Sequence, residues 1–419
     1  MTLLMSRRFL PLFAAQALGA LADNAFKSAL VVVLAFGAPG SGGALVALAG
    51  GLFILPYILV SAPAGQMADR FGKAGLIRVA KWAELGLSAL AAWALAAGHV
   101  GGLLAVLFGY GMQAAFFSPL KYGILPELLG QDELLQGNAQ VEAGTFAAIL
   151  LGTIAGGALI GVPSGPLVVG AALVAVSAMG VVAAYGVPAV VAAAEGLRIE
   201  WNVAATTVRL LRGARENRAV WVALLGLSWF WTLGATFLAQ FPVLAQGEFG
   251  ADNRVVTLLL ACFSVGVGLG SVWVGRLARG RAAGLVAGAG LLLSGATVAF
   301  VGLAALPAAG TWRSPGAMLG SGSGVAALAC LLLVSACGGA FSVPLYARLQ
   351  TEAAPDARAR IVAANNVMNA LCIVAGAGAI AGLAAAGVRP GGILLGTAAI
   401  NAGVALWLRK GVAVGHERG

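Results

Sequence analysis

The first long apolar run of the chain contains "ALADNAFKSAL", residues 20–30, with an acid, Asp23, an amide, Asn24, and a base, Lys27. Asp23 and Lys27 are four residues apart, so a helix sets them on one face, with Asn24 rotated by about 100° from Asp23. A charge at the centre of a bilayer costs roughly 2.5–3.5 kcal/mol on insertion scales, and such residues face a cavity or a partner. Two readings follow. Either the pair neutralises itself and packs its helix against neighbours, or it offers one acid and one base to a bound molecule. Other polar residues interrupt other apolar runs: Lys121 with Tyr122, Asn138 with Glu142, and Asn365, Asn366 and Asn369. Glu84 follows Lys81 by one helical turn and reads as an ion pair near the cytoplasmic end of its helix. Gln113, Gln140 and Gln240 are single amides, and a single amide in such a run serves more often as interhelical glue than as a ligand.

Bond-making chemistry has little to work with here. The only histidines, His99 and His416, fall near loops or ends. The cysteines, Cys262, Cys330, Cys337 and Cys372, lie in apolar runs at no metal-ligand spacing. No metal, no cofactor and no catalytic residue is therefore expected, and the chain reads as a non-enzyme. "GVGLG", residues 266–270, has no preceding strand and reads as helix packing rather than a nucleotide loop. "GTIAGG", residues 152–157, places Gly152 and Gly156 at the spacing of a helix contact face.

These residues need elements to position them, and the composition says which kind. Of 419 residues 60% are hydrophobic and only 10% charged, with a mean hydropathy of +0.96. A soluble domain carries about 25% charge, so this apolar surface has to face lipid. Runs of about twenty residues match membrane-crossing helices. The alternation of a β-barrel is absent. Twelve spans are expected, centred near residues 23, 55, 86, 110, 150, 177, 232, 265, 293, 333, 373 and 400. The first run continues to about residue 36, too long for a cleaved signal segment.

Twelve spans put every Lys and Arg on one side except Lys27 inside a span and Arg254, Arg313 and Arg389 opposite. The crowded side includes both termini and the loops holding Arg70, Lys73, Arg78, Arg279, Arg281, Arg358 and Arg360, with Arg418 at the end. The positive-inside rule makes that side cytoplasmic. The net charge of +10 is accounted for by this bias and by anionic lipid headgroups, with no nucleic acid required. A polar stretch divides the chain into a six-helix domain over 1–192, a cytoplasmic linker over 193–218 and a second six-helix domain over 219–419. The linker contains "WNVAATTVRLLRGAR", which reads as an amphipathic helix on the membrane surface. The halves echo each other: Pro119-Leu120 and Pro344-Leu345 precede Glu127 and Glu352 by the same interval, and each stretch leads to an Asn, Asn138 or Asn365. That suggests a duplicated six-helix unit.

Between spans two and three lies "GQMADRFGK", residues 65–73. Gly65, Asp69, Arg70, Gly72 and Lys73 match the loop signature of the major facilitator superfamily. The resemblance implies an all-α membrane protein of twelve transmembrane helices in two pseudo-symmetric six-helix domains. In this loop Gly65 is expected to allow close helix contact. Asp69 is expected to cap the next helix and meet basic groups, and Arg70 and Lys73 to face the cytoplasm. Together they would act as a conformational latch. The matching loop of the second half, "GSVWVGRLARGR", keeps Gly270, Gly275 and Arg276 but no acid.

Within that superfamily, "LADNAFKSAL", "FFSPLKYGILPELL", "GNAQVEAGTFAAILLGTIAGG", "SWFWTLGATFLAQFP", "FSVGVGLGS" and "ARIVAANNVMNAL" resemble the bacterial lysophospholipid transporter family over nearly the whole chain. They are still more similar to its fused relatives, in which an acyltransferase and an acyl-carrier-protein synthetase follow on the same chain. The resemblance implies inward movement of lysophosphatidylethanolamine-type lipids across the bacterial cytoplasmic membrane for re-acylation. Asp23 and Lys27 would then meet the headgroup's ammonium and phosphate, with Asn24, Lys121, Tyr122, Asn138, Glu142, Asn365 and Asn369 as further substrate contacts. Membrane lipids and a separate acyltransferase/acyl-ACP synthetase are the implied partners. Neither His99 nor His416 has an Asp five residues on, so no acyltransferase motif is present. "TLGATFLAQFP" in span seven lacks the basic residue expected from the separate transporters. An exporter of drugs or small solutes, and a non-transporting membrane partner that docks an acyltransferase on the basic linker, remain the alternatives.

Overall fold

The computed structural model describes residues 3–37, 42–277, 282–306 and 311–413. Arg279, Arg281, His416 and Arg418 lie outside them. No strand occurs among the described residues. The chain runs through α1 (Leu10–Gly37), α2 (Gly42–Arg70), α3 (Lys73–Ala96), α4 (Val100–Leu128), α5 (Leu134–Ile160) and α6 (Gly165–Tyr185). Then come α7 (Val203–Glu216), α8 (Arg218–Val243), α9 (Asn253–Leu277) and α10 (Ala282–Ala304). The last are α11 (Pro315–Leu319), α12 (Gly322–Glu352), α13 (Arg358–Ala385) and α14 (Pro390–Ala413). Twelve helices among the described residues are long and apolar enough to cross a bilayer, all but α7 and α11. Each expected centre falls inside one of them. Large apolar side chains such as Trp93, Leu151, Val182 and Leu269 stand exposed on these helices, as lipid contact requires.

The helices group into two compact units. One comprises Met1–Gly137, Ala147–Asn217 and Gln350–Ala370; the other comprises Asn138–Phe146, Arg218–Leu349 and Leu371–Gly419. The middle of α5 thus groups with the second-half helices, and the α12–α13 junction with the first-half helices.

In the first unit α2 packs on α4, and α3 on α4 and α6. Small residues set the distances. A Cβ on Gly111 of α4 would lie 2.6 Å from Phe53 O and 3.0 Å from Pro56 Cγ of α2. One on Gly170 of α6 would lie 2.7 Å from Ala92 Cβ of α3. Gly152 and Gly156 face α1 as their spacing suggested: a Cβ on Gly156 would overlap Ala25 O, and one on Gly152 would lie 3.0 Å from Ala25 N. α5 is therefore seated on the very turn of α1 that carries the charges. Deeper in the unit, Ser88 Oγ shares hydrogen bonds with Tyr110 OH at 2.7 Å and Ser177 Oγ at 2.6 Å, joining α3, α4 and α6. The Tyr110 ring stacks on Phe26 of α1, centroids 5.3 Å apart.

The linker belongs to this unit and is tied to α2. Gln66 Nε2 donates to Glu200 O at 3.2 Å while Glu200 N donates back to Gln66 Oε1 at 2.9 Å. Ala194 N donates to Asp69 O at 2.8 Å. Asn202 N-caps α7 by accepting from Ala205 N at 3.0 Å. The Arg209 guanidinium pairs with the Glu200 carboxylate, which holds the arginine's pKa above its already high ordinary value.

In the second unit α10 packs on α14 and α14 on α8. Asn401 of α14 links them: its Nδ2 donates to Gly290 O at 2.7 Å and Ser294 Oγ at 2.9 Å, and its Oδ1 accepts from Trp229 Nε1 at 2.8 Å. "GVGLG" is helical, within α9, and meets α12: a Cβ on Gly270 would overlap Ala336, and one on Gly339 of α12 would lie 2.7 Å from Ser271 Oγ. The nucleotide-loop reading is thereby set aside.

A Gly156→Val variant should lose the α1–α5 contact. Overpacking of this kind costs about 1–3 kcal/mol, and here the obstacle is backbone, so we expect the upper end or failure to fold. Gly50→Ala, with nothing within 4 Å of its added carbon, should be neutral. Thermal unfolding of the detergent-solubilised protein by size-exclusion chromatography separates the two.

Candidate functional site

Asp23 lies in the middle of α1, half-buried, within electrostatic reach of Lys27, Lys81, Glu84 and Lys121. Its Oδ1 is buried and has no hydrogen-bond partner. It makes no ion pair with Lys27. The Lys27 ammonium instead stands over the Phe53 ring of α2, 4.1 Å from the centroid. The two charges share a helix face without a direct ion pair, and each lies within electrostatic reach of the other. Tyr57, one turn after Phe53 on α2, is also within electrostatic reach of Asp23. Asn24 is otherwise engaged: its Nδ2 donates to Ala20 O at 2.7 Å, and its Cβ faces Gly152 of α5.

Beside this turn sits a buried ion pair. Lys81 Nζ donates to Glu84 Oε2 at 2.7 Å, with both side chains 1% exposed. Gln113 Nε2 of α4 donates to the same oxygen at 2.9 Å, and the Lys81 ammonium lies 4.8 Å from the Phe117 ring centroid. α1 rests on this pair. A Cβ on Gly19, one turn before Asp23, would overlap Lys81 Nζ and lie 3.0 Å from Glu84 Oε2. Gly180 of α6 closes the other side, its Cβ position 3.7 Å from Glu84 Oε1. Contrary to the expectation from the sequence, the pair does not lie near a helix end. The structure puts it at mid-helix in α3, where its charges help fix the field around Asp23.

Lys121 and Tyr122 are neighbours on α4, with the Lys121 ammonium 4.7 Å from the Tyr122 ring centroid. Gln350 Nε2 donates to Tyr122 O at 3.0 Å. Asn365 and Asn369 lie one turn apart on α13 and are buried; neither polar atom of the Asn365 side chain has a hydrogen-bond partner. Asn366 Oδ1 accepts from Ser118 Oγ of α4 at 3.1 Å. Asn138 and Glu142 are buried on α5 and group with the second unit, as does Gln240.

The residues expected to form a latch lie at the end of α2 and the start of α3. Asp69 is fully buried. Its Oδ1 accepts from Ala359 N at 3.0 Å; its Oδ2 accepts from Arg360 N at 3.1 Å and Arg360 Nε at 3.0 Å. The carboxylate thus caps α13 and holds a basic side chain of that helix's first turn. It does not cap α3, whose N-cap is Gly72 with no side-chain bond. Gly65 makes the approach possible, since a Cβ there would lie 2.6 Å from Ala363 Cβ and 2.9 Å from Ala359 O. Lys73 also departs from expectation. It does not face solvent: it is fully buried, with Nζ 2.5 Å from Glu127 Oε1 at the end of α4. Gly123, one turn earlier on α4, lets the Lys73 chain and Ala359 come within 3.3 Å of its Cβ position. Arg70 is half-buried over the Phe71 ring, and Gly72 is exposed. Arg360, Phe53 and Tyr57 were not legible as site residues. Their only sequence signal is a basic residue in the first turn of α13 and two aromatics one turn apart on α2.

The chain matches the Major Facilitator Superfamily over residues 12–377. It is 32% identical over 367 residues to the lysophospholipid transporter LplT of Escherichia fergusonii, covering 85% of each chain. It is 33% identical over 361 residues to that of Salmonella enteritidis PT4, covering 83% of this chain and 81% of the other. Among solved structures it resembles the human organic anion transporter MFSD10 (TM-score 0.75, 15% identity, 95% and 99% of the two chains). It also resembles the Escherichia coli fucose–proton symporter FucP (TM-score 0.69, 12% identity, 96% and 97%). At such identities the structural likeness establishes the fold alone.

Two outcomes test this geometry. Lys81→Met strands a buried carboxylate and should destabilise the protein by about 3–5 kcal/mol, whereas Lys81→Met/Glu84→Leu should recover most of that loss. Thermal unfolding reads both. Asp69→Asn removes a charged acceptor from two amides and a guanidinium. Hydrogen exchange at Ala359 and Arg360 should then speed up about 10- to 100-fold while the core of α3 keeps its protection.

Proposed function

The chain belongs to the major facilitator superfamily, in its lysophospholipid transporter branch, and on that premise we propose that it moves lysophosphatidylethanolamine-type lipids inward by alternating access. The observation that carries the headgroup assignment is the uncombined pair on α1. Asp23 keeps an unpartnered carboxylate oxygen, and Lys27 keeps its charge on the face of Phe53. A zwitterionic headgroup supplies the complement of each. The Lys27 ammonium takes the phosphate as a charge-assisted contact, and Asp23 takes the lipid ammonium. Lys121 adds positive potential to the same region. Nothing in this reading makes or breaks a bond in the lipid. Re-acylation falls to a separate acyltransferase.

The end of α2 supplies the conformational control in this proposal. Asp69 bonded to α13 stabilises one state, and breaking those three bonds releases the other. The bias of basic residues supports a cytoplasmic location for both termini in the bacterial cytoplasmic membrane. An exporter would share the fold and the loop at residues 65–73, and the charged turn of α1 is what favours a zwitterion.

Uptake of labelled lysophosphatidylethanolamine into spheroplasts lacking their own transporter tests the proposal. Lys27→Ala should reduce uptake at least about tenfold at equal membrane levels. Asp23→Asn should do the same for lysophosphatidylethanolamine and spare lysophosphatidylglycerol, which has no ammonium. Unchanged uptake by well-inserted variants would refute the headgroup site. No uptake by the wild type would favour export.

A further inference from the structure

The linker carries a surface that the transport reading does not use. α7 turns Thr206 and Ala214 inward and leaves its other face open. Ala204, Ala205, Val208, Arg209 and Arg212 are exposed and line a hollow of about 460 Å³. Three small apolar side chains and two guanidiniums therefore share one concavity. Trp201, just before the helix, is 70% exposed. Arg215 is exposed one turn after Arg212, and the one acid paired within this group is Glu200, on Arg209.

The position of α7 identifies what meets this face. A single residue, Asn217, separates its end from α8, which crosses the bilayer. At its other end the linker descends from α6, also a spanning helix. The double hydrogen bond between Gln66 and Glu200 holds the start of the linker helix against α2. The helix is thus kept at the level where the spans emerge from lipid. A basic amphipathic helix with an exposed tryptophan at that depth is complementary to anionic headgroups over acyl chains. An acidic soluble protein would match the arginines but gives no reason for Trp201 and Val208 to be bare so near the membrane.

We propose that this face of α7 is a docking site for an anionic phospholipid of the adjoining leaflet, its phosphate held between Arg209 and Arg212 and its apolar part against Val208. The site is independent of the transported lipid. Glu200 competes for Arg209, so a bound phosphate takes that guanidinium over from the carboxylate. The backbone strap from Glu200 to Gln66 stays intact through the exchange.

Native mass spectrometry of the full-length protein in mild detergent, with phosphatidylglycerol and phosphatidylcholine of matched chains, tests this. Wild type should retain phosphatidylglycerol in preference. Each arginine near an anionic surface is worth about fivefold, so R209Q/R212Q should weaken phosphatidylglycerol retention about thirtyfold and leave phosphatidylcholine unchanged. E200Q frees Arg209 and should strengthen retention up to about fivefold. R254Q, far along the sequence in α9, should change nothing. Both positions are exposed, so thermal unfolding of R209Q/R212Q should match wild type. Equal phosphatidylglycerol retention by the double variant, or weaker retention by E200Q, overturns the proposal and leaves the face to an acidic protein partner.

Discussion

A carboxylate shut away from water must find all of its compensation inside the protein, and Asp69 is where this structure meets that demand most completely. Its two oxygens accept two backbone amides and a guanidinium, all from the first turn of α13. That turn is the positive end of a helix dipole, with amides that have no partner in their own helix. The acid and the helix end therefore satisfy each other. The arrangement also fixes its surroundings. α13 must come close enough for Gly65 to face Ala363, and α4 close enough for Gly123 to face Ala359. Lys73 is buried in the process, and it needs Glu127. One buried charge thus dictates the small residues and the second ion pair around it.

The same logic separates the two kinds of charge in the first unit. Lys81 and Glu84 are fully buried, and Glu84 Oε2 accepts from both Lys81 and Gln113. A buried ion pair of this sort adds little net stability, because its attraction mainly offsets desolvation. Its effect is on specificity: α1 can pack on it only with glycine at position 19, which fixes the rotation of α1. Asp23 is one turn further on, so its direction follows from that seating and from Gly152 and Gly156 on the other side. The acid of the proposed site is positioned by glycines that carry no chemistry of their own.

Twelve helices and the linker were legible because hydropathy and charge asymmetry are local properties, readable window by window. The glycine spacings at 152–156 and 266–270 were legible as contact faces for the same reason. Partners were not. Asp69 looked like the cap of the helix that follows it, since capping is normally local, yet the chain brings residues 359 and 360 to it from 290 positions away. Lys73 looked like a solvated loop charge, because nothing near it in sequence shows that the end of α4 covers it. Glu84 looked peripheral because the helix it sits in starts earlier than its apolar run. Each of these depends on which helices become neighbours, and single-sequence periodicity does not carry that information.

The uncombined state of Asp23 and Lys27 follows from this packing as well. Four residues apart on a helix, an acid and a base gain only about 0.2–0.5 kcal/mol from pairing in water, with the preferred order being the one seen here. The lysine has another option, because the face of Phe53 stabilises a cation by about 0.5–2 kcal/mol. The ring therefore competes on even terms with the carboxylate. Asp23 is left in the field of Glu84, Lys27, Lys81 and Lys121 with no donor on Oδ1. A direct ion pair would have quenched both groups. Holding Lys27 on a ring instead leaves one cation and one anion on a single turn of α1 with no direct bond between them, which is the feature the proposed headgroup site relies on. Phe53 is in this sense as much a part of the proposed site as the charges themselves.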